Sequence, residues 1–242
     1  MQTVQHLLKH PALKVCVVLL LALGSAAISD NSRAYFDDDE WPAFVVEKMP
    51  LSSAFVEDVW TRALQVHVVA AAIALPGCLL LISRRLLRRL PRVHRVLGRV
   101  VGVVVLFALV PTGLLLSLYA KGGVLGGLGF AVSGVVVAVA MVGGIVSARA
   151  RRFVDHRRHV LHVLAQLSVA VSSRVLILGL DAFAVDADTA YLIALWLPVV
   201  GSALIVEGLV PRPTSVLAVN RSFHAAPRHH PLVAVQPHLA GE

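Results

Sequence analysis

The chain has 242 residues, of which 57% are hydrophobic and only 15% are charged, and its mean hydropathy is +0.80. Soluble domains carry about 25% charged residues, so this composition excludes an ordinary soluble domain and indicates an integral membrane protein. The formal net charge of +8 lies beside the apolar runs rather than on one soluble face. That distribution favours roles in membrane topology and headgroup contact, and it argues against a nucleic-acid partner.

The first 62 residues predict one membrane helix and one outer loop. In residues 1–28, Lys9 and Lys14 lead into an apolar run that predicts a first transmembrane helix. The small residues at 24–27 also resemble a signal-peptide cleavage region, so a retained anchor and a cleaved signal both fit. Either alternative places residues 29–62 outside. This segment holds eight acidic residues and predicts an acidic extracytoplasmic loop.

Residues 63–210 predict a membrane core of five further helices. Each apolar run is about 20 residues long, which matches the hydrocarbon thickness of a bilayer. The runs cover residues 63–82, 100–119, 130–147, 160–180 and 189–210. Residues 211–242 are rich in Pro, His and Arg and predict a disordered cytoplasmic tail. The predicted fold class is therefore an all-α integral membrane bundle with six transmembrane helices.

The stretch RRLLRRLPRVHRVLGR at residues 84–99 predicts the orientation of the bundle, because arginine-rich connections stay on the cytoplasmic side. Its topology-setting residues are Arg84, Arg85, Arg88, Arg89, Arg92, Arg95 and Arg99. A second connection, residues 149–159, holds five more arginines. We therefore predict that both termini are cytoplasmic, that the membrane is a bacterial plasma membrane, and that the inner basic loops meet anionic lipid headgroups.

Ionisable and amide side chains at membrane depth are the candidate functional residues, because burying them in lipid is costly. The five histidines, which are also candidate haem ligands, are His67, His94, His156, His159 and His162. The predicted polar core comprises Arg174, Glu207 and Gln166. His67 and Arg174 lie in the outer half and the other histidines and Glu207 near the inner leaflet. Helical spacing puts His159, His162, Gln166 and Ser173 on one side of a helix, which predicts that this side faces the bundle interior.

Three functional interpretations remain open at this point. Two histidines from facing helices can hold a haem iron, and the inner pair would be His94 with His159 or His162. His67 has no histidine partner at its depth, so a two-haem arrangement is not predicted. A proton-coupled transport path through Glu207 is a second interpretation. The third is a structural polar core that only holds the bundle together. Metal-ligand clusters and the motifs of soluble enzymes are absent from the sequence, which argues against an enzyme of that kind.

A set of short motifs in the core resembles a known family. The motifs are His67, His94-Arg95 with Gly98-Arg99, Gly122-Gly123, Gly129-Phe130, His156-Arg157-Arg158, and Arg174 eighteen positions later. Together, over residues 67–207, they resemble the bacterial membrane family called domain of unknown function 2306. The resemblance implies a multi-pass membrane protein and brings no activity with it. It implies that a family-wide cofactor would use His67, His94 and His156, because the family does not typically place histidines at His159 and His162. A looser similarity to b-type cytochrome bundles rests on spans that begin with histidine.

Overall fold

The computed structural model describes residues 11–36 and 59–209, which are helical apart from short turns and contain no strand. In chain order the helices are α1 (Pro11–Asn31), the 3-10 helix Ser32–Phe36, α2 (Thr61–Leu81), α3 (Arg84–Arg89), α4 (Pro91–Val104), the π-helix Val105–Leu109, α5 (Val110–Ser117), α6 (Gly123–Arg149), α7 (Phe153–Leu167), α8 (Val169–Ala182) and α9 (Ala187–Leu209). The predictions for the middle of the acidic loop and for the tail at 211–242 lie outside the described residues.

Five segments are long and apolar enough to cross a membrane, and a sixth span arises when α7 and α8 count as one. The five are Val15–Phe36, Thr61–Leu81, Pro91–Ser117, Gly123–Arg149 and Ala187–Gly208. The α7–α8 pair is bent by 40°. The prediction of an all-helical membrane bundle is thereby confirmed.

The basic segment at 84–99 is helical, so its interpretation as a loop was wrong. Ser83 accepts a hydrogen bond from the Leu86 amide at 3.4 Å and begins the short helix α3. Pro91 then opens α4 at the first helical position, where its missing N–H costs nothing. The third span therefore begins at Pro91 rather than at residue 100, and its first turns carry Arg92, Arg95 and Arg99.

Two other connections are also shorter than predicted. The glycine-rich stretch 120–129 is mostly the first two turns of α6, and only Gly122 and Gly123 adopt positive φ angles, of 81° and 60°. The second inner connection ends at Phe153, where α7 begins. The predicted fifth span is divided at Ser168, whose hydroxyl donates to the Ala165 carbonyl at 2.7 Å and competes with the helical hydrogen bonds.

Small residues let the central helices approach closely. A Cβ built on Gly77 of α2 would lie 2.6 Å from Val101 Cγ2 of α4, so this crossing requires glycine. The main core contains buried residues from α2, α4, the π-helix, α5, α6 and α7, including Ala74, Val105 and Val163. These helices form the framework that carries the polar side chains described below.

The first and last spans pack on the outside of that framework. Helix α1 continues through residues 24–27 to Asn31, and Gly24 lies so close to Val171 of α8 that a Cβ would come within 2.5 Å of its Cγ1. At the start of α9, Asp186 accepts hydrogen bonds from the Thr189 amide at 3.1 Å and the Thr189 hydroxyl at 3.2 Å. The bond from the Thr189 amide is the main reason that the pKa of Asp186 lies below its usual value. Asp186 thus caps the exposed start of α9.

Candidate functional site

Two histidines at the start of α7 lie against a pair of glycines in α6. The Nδ1 atom of His156 is 2.9 Å from the Gly144 carbonyl oxygen, so this nitrogen carries a hydrogen that it donates. The ring of His159 lies over Gly143, where an added Cβ would come within 2.7 Å of the ring Cε1. Because Nδ1 of His156 is occupied by this bond, its Nε2 is the nitrogen that can accept a proton or a metal.

The structure brings His94 of α4 to the same inner layer. The Nδ1 atom of His94 is buried without a hydrogen-bond partner among the residues that the structure describes. The pairing of His94 with His159 or His162 stays a prediction, and His156 is a further candidate because its Nε2 is not used by the bond to Gly144.

A separate ionic cluster joins α7 to the C-terminal end of α9. Glu207 accepts a hydrogen bond from Arg158, and His162 Nε2 lies 3.0 Å from the other carboxylate oxygen of Glu207. The exposed fraction of the side chain is 21% at Arg158, 14% at His162 and 35% at Glu207. Solvent therefore only partly screens the two contacts that Glu207 makes. The sequence placed His162 and Glu207 at the same depth but gave no sign that Arg158 would complete the cluster.

Gln166 ties three helices together near the middle of the bundle. It is only 3% exposed. Its amide oxygen accepts from the Ser133 hydroxyl of α6 at 2.9 Å, and its amide nitrogen donates to the Val199 carbonyl at 3.0 Å and to Ser202 Oγ at 3.2 Å on α9. Both ends of the Gln166 amide are therefore satisfied by protein groups.

His67 of α2 occupies a different environment, because its side chain packs against the junction between the π-helix and α5. Its Nδ1 is 3.1 Å from the Leu109 carbonyl oxygen and 3.2 Å from Thr112 Oγ1. Gly113 makes room for the ring, because an added Cβ would lie 3.0 Å from the ring Cε1. A π-helix leaves an irregular set of backbone carbonyls, and here one of them holds His67.

Arg174 does not lie in the polar core, contrary to the sequence-based prediction. Its side chain is exposed, and its guanidinium donates to the Ala170 carbonyl one turn earlier on α8 at 2.8 Å. The line of polar residues on α7 ends at Ser168. The 40° bend there changes the direction of the helix axis, so positions on α8 no longer continue the faces of α7. The helical spacing that included Ser173 therefore does not extend across the break.

The contact between Gly143 and His159 gives a direct test of the packing in this layer. Gly143→Ala should destabilise the protein by about 1–3 kcal/mol, because the new methyl group overlaps the imidazole ring and the ring must move. Gly179→Ala is the matched control, since nothing lies within 4 Å of its Cβ position. The control should be neutral or slightly stabilising, as expected for alanine in a helix. Thermal unfolding in detergent measures both, and equal unfolding temperatures for the two variants would contradict the packing.

The fold and the inner layer define a multi-pass helical membrane protein with a histidine layer between its inner helix ends. The predicted membrane protein family, domain of unknown function 2306, matches residues 64–210. This is more than half of the chain, so the chain belongs to that family and the predicted resemblance is confirmed. No curated protein and no solved structure matches the chain. The described residues contain no group of three or more His, Cys, Asp or Glu side chains that could hold a metal ion.

Proposed function

We propose that this protein is a membrane electron carrier that holds one b-type haem between His94 of α4 and His156 of α7. The observations that carry the proposal are the buried Nδ1 of His94, which has no hydrogen-bond partner among the described residues, and the Nδ1 of His156, which is 2.9 Å from the Gly144 carbonyl oxygen and leaves Nε2 for a ligand. Two axial histidines from facing helices are the ligand set of b-type haem in helical bundles. When bound, haem supplies reversible one-electron chemistry.

Both histidines have chemistry that suits an axial ligand. The Gly144 carbonyl orients His156 through Nδ1 and leaves Nε2 for ligation, which is the usual arrangement for a metal-bound histidine. The buried Nδ1 of His94 has no hydrogen-bond partner among the described residues, so this ring also offers a nitrogen for ligation. His67, by contrast, is held by Leu109 and Thr112 in the outer half and is not included in the proposed site.

Absorption spectra test the proposal. Protein purified in mild detergent from haem-replete cells should show a Soret band when oxidised and sharp visible bands after reduction with dithionite. His94→Ala and His156→Ala should each lose most of the bound haem, because each removes one axial ligand. The controls are His159→Ala and His162→Ala, which should retain it.

Two outcomes would overturn the haem proposal. One is a colourless protein that is folded by circular dichroism and elutes as a single species. The other is a haem band that persists in His94→Ala and His156→Ala but disappears in His159→Ala, which would move the site to another pair. Haem content per protein, measured after acid extraction, separates loss of haem from loss of protein.

Proton-coupled transport is the second candidate, and a specific feature favours it. The cluster of Arg158, His162 and Glu207 lies at the inner end of a polar line on α7 that continues to Gln166. Polar residues at a broken span mark substrate paths in many transporters. If the protein is colourless, proton flux into liposomes should be measured next. Loss of flux in Glu207→Gln would support this function.

We further infer that the chain lies in a bacterial plasma membrane with both termini in the cytoplasm. The arginines of α3 and α4 and those at 149–158 support this orientation, because short basic connections remain on the cytoplasmic side. In this orientation the histidine layer and the Glu207 cluster lie near the inner leaflet. The basic helix ends then meet the anionic headgroups of that leaflet.

A further inference from the structure

The exposed face of α4 carries a line of arginines from the helix start into the membrane region. Arg92, Arg95 and Arg99 are spaced three and four residues apart, so they share one face of the helix, and all three are exposed. We call these three residues the arginine stripe. The opposite face of α4 is packed in the main core, where Val101 is 1% exposed and lies against Gly77 of α2.

The surroundings of Arg99 are apolar and accessible. Arg99 lies eight residues after Pro91, which places it roughly 12 Å along the helix by the helical rise. Its neighbours on the same surface are exposed valines, with Val96 at 57%, Val100 at 46% and Val103 at 58%. Valines exposed on a membrane helix contact acyl chains. The aliphatic part of Arg99 therefore lies among lipid tails, and its guanidinium extends toward the polar headgroup region.

The three guanidiniums have no partner among the residues that the structure describes. In residues 11–36 and 59–209, the arginine stripe makes no ion pair and no hydrogen bond. Other arginines of the inner layer are paired, since Arg158 binds Glu207 and Arg152 lies 3.7 Å from Asp155. Three exposed positive charges beside an apolar surface favour binding of anions at the membrane interface.

We propose that the arginine stripe is a binding site for the phosphate group of an anionic phospholipid, whose acyl chains lie along Val96, Val100 and Val103. Charge complementarity selects this occupant, and guanidinium groups bind phosphate oxygens in a bidentate way. The adjacent valines distinguish a lipid from free phosphate, because they offer an apolar surface to the chains. This inference rests on the headgroup contact proposed above, which it narrows to one site, and it is independent of the haem site, since no histidine contributes.

The experiment measures lipid selectivity in reconstituted membranes. The full-length protein is placed in phosphatidylcholine vesicles that contain traces of spin-labelled phosphatidylglycerol or spin-labelled phosphatidylcholine, and electron paramagnetic resonance gives the fraction of each label held at the protein. Both leaflets have the same composition, so the result does not depend on how the protein is oriented. The unaltered protein should hold phosphatidylglycerol several-fold more strongly than phosphatidylcholine.

The variants compare arginines from the same basic segment. Arg99→Gln should lower the preference for phosphatidylglycerol roughly fivefold, the effect expected of one arginine near an anionic lipid. Arg88→Gln, which removes an equal charge from α3, should change it far less, and Arg99→Lys should retain part of it. Equal losses in Arg99→Gln and Arg88→Gln would mean nonspecific attraction and overturn the proposal, as would no loss in either. Displacement of the lipid by millimolar inorganic phosphate would overturn the lipid assignment in favour of a free anion.

Discussion

Replacing Arg84, Arg85, Arg88 and Arg89 with glutamine should invert or scramble the spans on either side of α3 in a large fraction of the molecules. The four side chains are exposed and none is buried in the bundle, so their removal costs little packing. In the proposed orientation their charge keeps this connection in the cytoplasm, because translocating arginine is unfavourable. The effect is therefore expected on orientation and not on the stability of a folded molecule.

Cysteine labelling measures this orientation in intact cells. Cys16 and Cys78 are first replaced, and a single cysteine is introduced at the exposed Val124 near the outer end of α6. A membrane-impermeant maleimide should label this position in the parent protein, and labelling should fall markedly in the glutamine variant. A cysteine at the exposed Phe153 should show the reverse pattern.

Lysine replacements at the same four positions are the matched control. They preserve the charge and should preserve the orientation, although they change the same part of the sequence. Unchanged labelling in the glutamine variant would show that the arginines of α4 and of residues 149–158 determine the orientation by themselves. Inversion in the lysine variant as well would show that charge is not the cause.

The helices could be predicted from the sequence because apolar runs of about 20 residues have few alternatives in a bilayer. Their ends could not be predicted as well. The apolar run starts only at residue 100, whereas α4 starts at Pro91. The arginines between these two positions are helical, but they lower the local hydropathy, so a prediction from hydropathy omits them. The break at Ser168 was also missed, since serine inside an apolar run gives no strong signal, and only the structure shows that the Ser168 hydroxyl bonds the Ala165 carbonyl at this break.

The candidate site could be predicted only as a set of residue types at similar depths. Depth alone offered His94 several histidine partners, and only the packing of α7 on α6 assigns Gly144 to His156 and Gly143 to His159. Arg174 was predicted to be interior on the ground that charge avoids lipid, yet the structure exposes it and satisfies it with the Ala170 carbonyl. Which face a residue occupies depends on the rotation of each helix, and that rotation is fixed by contacts that are distant in sequence.

Gln166→Leu should be among the most destabilising single changes in the bundle, although it preserves side-chain volume and increases hydrophobicity. Gln166 is the common partner of Ser133, Ser202 and the Val199 carbonyl, so the change removes three hydrogen bonds that join α6, α7 and α9. Each such bond in a membrane bundle contributes on the order of 0.6 to 1.7 kcal/mol, so the loss of three predicts a decrease of about 2 to 5 kcal/mol in the free energy of unfolding by a denaturing detergent. Gln65→Leu is the control, because among the described residues Gln65 makes one hydrogen bond, at 2.8 Å to the Tyr35 carbonyl, and its loss should cost under about 1.7 kcal/mol.

A double-mutant cycle that combines Gln166→Leu with Ser133→Ala then isolates the contribution of the Ser133 bond. A loss no larger than that of Gln65→Leu would mean that helix packing, and not this amide, holds α7 and α9 together.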